Sequence, residues 1–372
     1  DNHSWIPAAL LALYEARGND GFLEDETAYN DNSVSSLYEH GLRAVDYLWN
    51  DRGHCGLCCI HGGDWNDCMD MVGKAGKGVS VWLSEAFVVA CEAMRQLAAA
   101  TGRNDDEQRL RSMAETMRQL LEQHAWDGEY YLAAIHDNGT KIGSHWNTYG
   151  RLYLNSQSWA VMAGLKHGRE ALEMAEPRLD SDLGIHCMSE AYEFTMDDIG
   201  VMTQKYPKVQ ENGGIYLHAS AFKLVADCLL KRYEQVENGM SKMLPFDDTF
   251  HQLDCEPYVF CNCYYSTPGY RYGTAGQSWG TGTASWFYLA LLRHIYGLQP
   301  HPDGLRLDPC LPPAWKECSI IHRLRGTEYT VTYHQEGSGG KIAGIRLDGR
   351  ECKEELLPYR PGEKILVEVT LK

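Results

Sequence analysis

Residues 81–102 read VWLSEAFVVACEAMRQLAAATG. Apolar residues fill most of the stretch, no proline interrupts it, and a glycine stands just past its end. The reading is a long, largely apolar helix over Val81–Ala100 that stops at Gly102. Working outward, Leu110, Met113, Met117 and Leu120 recur at helical spacing behind Asp105 and Asp106, acidic residues suited to the positive end of a helix. Upstream, Leu37, Gly41, Val45 and Leu48 repeat that spacing, and Ser4–Arg17 runs to a stop at Gly18. Further helices fit Ser156–Leu165, Arg169–Ala175, Ile215–Leu230 and Thr283–Tyr296. Long loops rich in Gly, Asn, Asp, Tyr and Pro separate them, and a compact domain carries such loops chiefly where they hold a site. Short helices with functional loops gathered at one end point to a mainly α protein, a helical toroid.

After Leu298 the pattern changes. HPDGLRLDPCLPPAW (301–315) is rich in turns, Ser319–His334 alternates like a strand, GIRLDGREC (344–352) contains an Asp-Gly turn, and Ile365–Leu371 reads as another strand. The expected division is a helical unit over residues 1–298 and a small antiparallel β-sheet domain over 299–372.

Composition narrows the function. The 372 residues carry a net charge of -17, which argues against nucleic-acid backbones and anionic membrane surfaces as partners. No stretch is long and apolar enough to span a bilayer and no signal peptide opens the chain, although its first residue is Asp1 and an upstream portion is expected. Thirteen scattered cysteines in a long chain read as reduced thiols, hence a cytoplasmic protein. Cys55, Cys58 and Cys59, or Cys261 and Cys263, fit no zinc-finger spacing, so no metal is expected. Aromatic content of 11% suits sugar binding, though cores and interfaces use aromatics too.

Three stretches concentrate polar groups. HGGDWNDCMD (61–70) sets three Asp and an Asn around Trp65 behind a Gly-Gly bend. A surface turn with a helix cap uses the same residues. The indole tips the balance, because a carboxyl beside it is desolvated and keeps a proton near neutral pH, and the ring face can hold a pyranose. In YPKVQENGGIYLHAS (206–220), Gln210, Glu211 and Asn212 precede a Gly-Gly turn and His218 lies just inside a helix. In GQSWGTGTASW (276–286), backbone N–H groups and a hydroxyl meet at a helix start, a general anion seat that is not a Walker motif because no Lys follows the glycines. EPYVFCN (256–262) adds a carboxylate and an amide among aromatics.

Taken in order, GGDWND, ENGGIYLH, EPYVFCN, GQSWGTGTASWFY and DGLRLDPCLPPAW resemble the inverting disaccharide phosphorylases of glycoside hydrolase family 94, which include the cellobiose and chitobiose phosphorylases. The resemblance runs over nearly the whole chain. It implies an (α/α)6 barrel, incomplete on its N-terminal side, followed by a small C-terminal sheet. It also implies an N-terminal β-sandwich and helical linker that have no counterpart here. By the same match Asp67 is the general acid and Trp65 a wall of the subsite for the transferred glycosyl unit. Asp64, Tyr206, Gln210, Glu211 and Asn262 bind substrate, Glu211 near the scissile bond. His218, Thr281 and Gly282 bind phosphate. Inorganic phosphate is then a co-substrate, with no cofactor, and the partner is a β-linked disaccharide or oligosaccharide. The resemblance further implies a homodimer, or association with a separate N-terminal portion. The chain departs from the family at Gln210, where Lys is frequent, and at Asn262, where some members carry Gln. The family's phosphate arginines and its early Arg/Asp pair lie upstream of anything matching Asp1. The implied activity is phosphorolysis with inversion, giving an α-sugar 1-phosphate. The alternatives are a non-catalytic carbohydrate-binding fragment and an inverting glycosidase that pairs Asp67 with a second carboxylate such as Glu211.

Overall fold

The computed structural model describes residues 1–245, 254–256, 258–269, 271–337, 340–354 and 356–372. Among them, helices alternate between an inner and an outer set. The inner helices are α1 (Asn2–Arg17), α3 (Val81–Ala100), α5 (Leu154–Met162), α7 (Leu217–Leu229) and α9 (Thr283–Leu289). The outer helices are α2 (Leu37–Asn50), α4 (Asn104–His124), α6 (Gly168–Leu179) and α8 (Tyr233–Met243). Each outer helix packs on its predecessor, while α1, α3, α5, α7 and α9 pack successively on one another.

The sequence accounts for this division. On α4 only the stripe of Leu110, Met113, Ala114, Met117 and Leu121 is buried, as an outer helix requires. On α3 and α7 nearly every side chain is buried, polar ones included. The boundaries follow local chemistry. Ser36 and Glu39 form a reciprocal capping box at the start of α2. Ser80 accepts from the Leu83 N–H at 2.8 Å at the start of α3. The N–H of Gly18 returns to the Tyr14 carbonyl at the end of α1. Helix α8 has no counterpart in the sequence reading, because its buried residues are only Val236, Met240 and Met243 and an Asn-Gly pair at 238–239 mimics a turn. The helix expected over Thr283–Tyr296 is α-helical to Leu289 and continues as a π-helical segment over Ala290–Ile295.

One aromatic ring from each inner helix meets at the centre. Trp5 lies 5.9 Å from Trp82, 5.7 Å from Trp159 and 6.2 Å from Trp286, and Phe222 lies 5.3 Å from Trp159 and 4.7 Å from Trp286, mostly edge to face. Short two-residue ladders precede three of the inner helices: Val79–Ser80, Leu152–Tyr153 and Ile215–Tyr216. They fix the loops at one end of the helix array, where the expected site residues lie.

The C-terminal strands form two sheets. The first contains β1 (Leu298–His301), β2 (Gly304–Leu307) and β7 (Leu356–Leu357), all antiparallel. The second contains β3 (Glu317–Leu324), β4 (Thr327–Gln335), β5 (Ile342–Leu347), β6 (Arg350–Cys352) and β8 (Lys364–Leu371), in the order β3-β4-β8-β5-β6. The expected antiparallel pairing holds except between β4 and β8, which run parallel from Glu328/Lys364 to Gln335/Leu371. Alternate residues Tyr329, Val331 and Tyr333 of β4 and Ile365, Val367 and Val369 of β8 join Leu217, Leu224 and Val236 of α7 and α8 in one core. The strands therefore share a hydrophobic interior with the helices.

Glu85 on α3 is wholly buried, and neither carboxylate oxygen finds a partner among the described residues. Burial, with Glu122 adding to it, holds its pKa well above the ordinary value. At acid pH both folded and unfolded chains carry the proton. As pH rises past the unfolded value the unfolded chain ionises first, so wild-type stability falls until the folded carboxyl ionises as well. Glu85→Gln is expected to escape this loss, gaining thermal stability over wild type between pH 5 and pH 8. Parallel melting-temperature profiles for the two chains over that range would contradict the burial argument.

Candidate active site

The loop at 61–70 is built around its glycines and Asp64. At Gly63, φ is 128° and a Cβ would stand 2.8 Å from the Asp67 Cα, so the chain doubles back on itself there. Asp64 then accepts the Asn66 N–H at 2.6 Å and the Ser80 hydroxyl, which ties the loop to the start of α3. Burial raises the Asp64 pKa against the pull of those two hydrogen bonds. Trp65 turns inward and meets Tyr216, His218 and Phe222 edge-on at 5.2–5.5 Å. Asp67 faces out and is exposed, with the Cys68 thiol donating to it at 3.4 Å. The carboxyl enclosed beside the indole is thus Asp64, whereas the sequence pointed to Asp67. The reversal at Gly63 sends residues 64 and 65 inward and residue 67 to the mouth.

The second loop brings Glu211 to the same place. Asn212 is fully buried and accepts the Tyr192 N–H while donating to the carbonyls of Tyr192 and Lys205, all at 2.8–2.9 Å. That clamp sets Glu211 so that its carboxylate and the donor atoms of Asp67 and Cys68 lie within 4.8 Å of one another. The Lys205 ammonium pairs with Glu211. Asn212→Ala strips three buried backbone groups of their partner and is expected to cost roughly 2–4 kcal/mol. A chemical-denaturation midpoint equal to wild type would show that the loop holds itself without the amide.

The third loop closes the far side. Thr281 and Thr283 share a hydroxyl hydrogen bond of 2.6 Å, the Thr281 Oγ1 accepts the Thr283 N–H at 3.2 Å, and no side chain caps α9. Gly282 lies flat against the His218 imidazole, where a Cβ would fall 2.6 Å from Cε1. His218 accepts the Trp65 indole N–H at Nδ1, 3.2 Å away, and its buried Nε2 has no partner among the described residues. Burial lowers its pKa to about 4, so the ring is neutral at ordinary pH.

A pocket lies between the first two loops and the inner helices, bordered by Asp64, Trp65, Asn66, Trp82, Tyr153, Asn155, Glu211 and Tyr216 among others. Three of its wall residues carry a buried polar atom without a partner among the described residues: Asn66 Oδ1, Trp82 Nε1 and Asn155 Oδ1. Such a mixture of rings and unspent polar atoms fits a pyranose. Of the residues singled out in the sequence, Asp64, Trp65 and Glu211 border this cavity. Asp67 stands beside Glu211, and His218 lies behind Trp65 with Gly282 against it.

Three others lie outside the residues that border this pocket. Asn262 is 8% exposed, and its amide N–H₂ is spent on the Tyr216 hydroxyl and the Gly280 carbonyl, so it braces the third loop against Tyr216. Gln210 adopts φ 49° and receives the Gly214 N–H on its carbonyl. Tyr206 is 62% exposed. In EPYVFCN, residue 257 lies outside the described residues, and Glu256 accepts the Trp279 indole N–H at 3.4 Å. The sequence did not single out Lys205, Trp82, Tyr153, Asn155 or Tyr216. All but Lys205 fall in or beside helices, where they read as ordinary core positions.

Among the described residues, two groups of mixed donors come close enough for a metal ion, Asp51 with Cys59 and His61, and Asp67 with Cys68 and Glu211. The Lys205 ammonium on Glu211 disfavours a cation in the second. All thirteen cysteines are free thiols.

The profile of the glycosyl hydrolase 94 superfamily, catalytic domain, matches residues 1–297. The solabiose phosphorylase of Paenibacillus borealis is 36% identical over 96% of this chain and 48% of that protein. The N,N'-diacetylchitobiose phosphorylase of Vibrio proteolyticus is 29% identical over 100% of this chain and 47% of that protein. The chain thus spans about half the length of these relatives. Among solved structures, the GH78 family rhamnosidase of Bacillus sp. GL1 superposes with a TM-score of 0.55 at 13% identity, covering 98% of this chain and 34% of that one, a likeness of fold alone. With the profile spanning the entire helical array and all three loops of the site, the chain belongs to the glycosyl hydrolase 94 superfamily through its catalytic domain.

Proposed function

We propose that this chain carries the catalytic apparatus of an inverting disaccharide phosphorylase, acting on a β-linked gluco-disaccharide or oligosaccharide. The five inner helices are five of the six in an (α/α)6 barrel over residues 1–298, with residues 299–372 as the attached β unit. Inorganic phosphate is the co-substrate, no cofactor takes part, and the thirteen free thiols favour the cytoplasm. Among the described residues no helix is long and apolar enough to cross a membrane. The exposed rings of Trp146, Phe194, Tyr206 and Trp279 favour contact with a second chain, in a homodimer or with a separate N-terminal portion.

In this reading Trp65 and Asp64 hold the glycosyl unit, with Glu211 on its hydroxyls near the scissile bond. Asn262, Gln210 and Tyr206 shape the surrounding loops and rim. Phosphate sits on His218 Nε2–H, the Thr281 hydroxyl and the backbone at Gly282. A phosphate oxygen attacks the anomeric carbon, the glycosidic C–O bond breaks, and Asp67 delivers its proton to the departing oxygen. The products are an α-sugar 1-phosphate and a free sugar. One observation favours phosphorolysis over inverting hydrolysis. An inverting hydrolase needs a second, free carboxylate set apart from the acid, with room for water between them. Here an oxygen of Asp67 lies within 4.8 Å of an oxygen of Glu211 and the Lys205 ammonium pairs with Glu211, while a neutral buried donor faces the start of α9. The test is sugar release from β-glucobioses with and without phosphate. Release of sugar 1-phosphate only when phosphate is present supports the reading. Equal release in its absence moves the chain to the hydrolases, and saccharide binding without turnover at saturating phosphate makes it a binding module.

A further inference from the structure

His218 is boxed in by groups that leave it one way to act. The Trp65 indole N–H reaches its Nδ1 at 3.2 Å. An indole nitrogen only donates, so Nδ1 must be the bare nitrogen of the ring, and a neutral imidazole then carries its proton on Nε2. That Nε2 is buried and without a partner among the described residues. Among the described residues the rings near it are Trp65, Phe222 at 4.6 Å and Trp286 at 6.4 Å, with Gly282 close beside it, and none of these is charged. Burial is the sole cause displacing its pKa, downward to about 4, so nothing nearby favours the doubly protonated ring.

We infer that Trp65 is a positioning residue for the anion: its indole N–H locks His218 in the Nε2–H tautomer and so presents a fixed neutral donor to the oxyanion bound at the Gly280–Thr283 turn. This assigns Trp65 a second task beyond walling the glycosyl cavity, and it rests on the phosphate reading of His218. The sugar wall and the anion anchor become one hydrogen-bonded unit. Without the indole N–H, Nδ1 is free to take the proton, and Nε2 then turns a lone pair toward the anion.

Trp65→Phe is the discriminating change, because phenylalanine keeps an aromatic ring near Tyr216 and Phe222 while removing the indole donor, and the double-mutant cycle below separates the loss of the donor from the loss of ring volume. In the ¹⁵N-labelled full chain, long-range ¹H–¹⁵N correlations of the imidazoles distinguish the two tautomers. Wild type is expected to show His218 as a single Nε2–H form, and Trp65→Phe as a mixture that binds inorganic phosphate roughly tenfold or more weakly. In a His218→Ala background Trp65→Phe is expected to cost nothing further in phosphate affinity, which closes a double-mutant cycle. A retained single Nε2–H tautomer in Trp65→Phe, or an undiminished effect once His218 is gone, overturns the inference. A His218→Ala chain that binds phosphate like wild type removes the phosphate reading instead, and the tautomer spectra still decide whether Trp65 sets the ring.

Discussion

Asp67→Asn is expected to lower phosphorolysis of a β-linked disaccharide by roughly 10²- to 10⁴-fold, the range general acids contribute, while leaving the fold intact. Asp67 is exposed, and among the described residues its carboxylate takes one weak hydrogen bond, from the Cys68 thiol at 3.4 Å, so no core packing rests on its charge there. The asparagine has the same shape and no proton to give. The loss should therefore fall on the step in which the glycosidic oxygen departs. A glycosyl fluoride, whose leaving group needs no proton, separates this role from a mere binding defect. The variant should turn over the fluoride within about tenfold of wild type, a gap far smaller than that on the disaccharide. Equal losses on both substrates would take the acid role away from Asp67. Wild-type turnover of the disaccharide would leave Asp64, the enclosed carboxyl three positions before it, as the group to test next.

Gly282→Ala is the second large effect, and it leaves the general acid untouched. The added methyl would stand 2.6 Å from His218 Cε1 and 2.9 Å from Nε2. A solvent-facing imidazole would swing aside at little cost. This one is held by the Trp65 hydrogen bond and by Phe222 and Trp286, so the ring and the turn must separate. A displacement on the order of 1 Å at a positioned group costs about 100-fold in rate, and the loss should appear chiefly as a raised KM for phosphate. Saccharide binding, measured by calorimetry without phosphate, should stay near wild type because Asp64, Asn155 and Glu211 are untouched. Unchanged phosphate kinetics would mean that the anion does not sit between His218 and this turn.

Much of the architecture could be read from short-range chemistry, and its failures have physical causes. The ends of α1 and α3 followed from Gly18 and Gly102, and the polar face of α4 from its spacing. Helix α8 escaped because three buried residues and an Asn-Gly pair give a weak period. Parallel pairing of β4 with β8 escaped because strand alternation has the same period in either direction, and the pairing joins segments more than thirty residues apart. The site divides the same way. Asp64, Trp65, Glu211, His218 and Gly282 stood out through unusual local company and do converge. Trp82 and Asn155 look like any residue at the start of a helix until the fold turns them toward a cavity. Asn262 stood out as an amide among aromatics, and its buried Oδ1 has no partner among the described residues. Its bracing of Tyr216 and Gly280 depends on partners 46 and 18 residues away.

The rings contributed by the inner helices also give the molecule an optical consequence. Trp5, Trp82, Trp159 and Trp286 are spaced closely enough to share excitation, and Trp286 and Phe222 both adjoin His218. Light absorbed by any of these chromophores will drain to whichever emits at lowest energy. An anion arriving at the imidazole then alters the emission of the whole ensemble, so occupancy of the phosphate seat should be legible as a change in native fluorescence without any label.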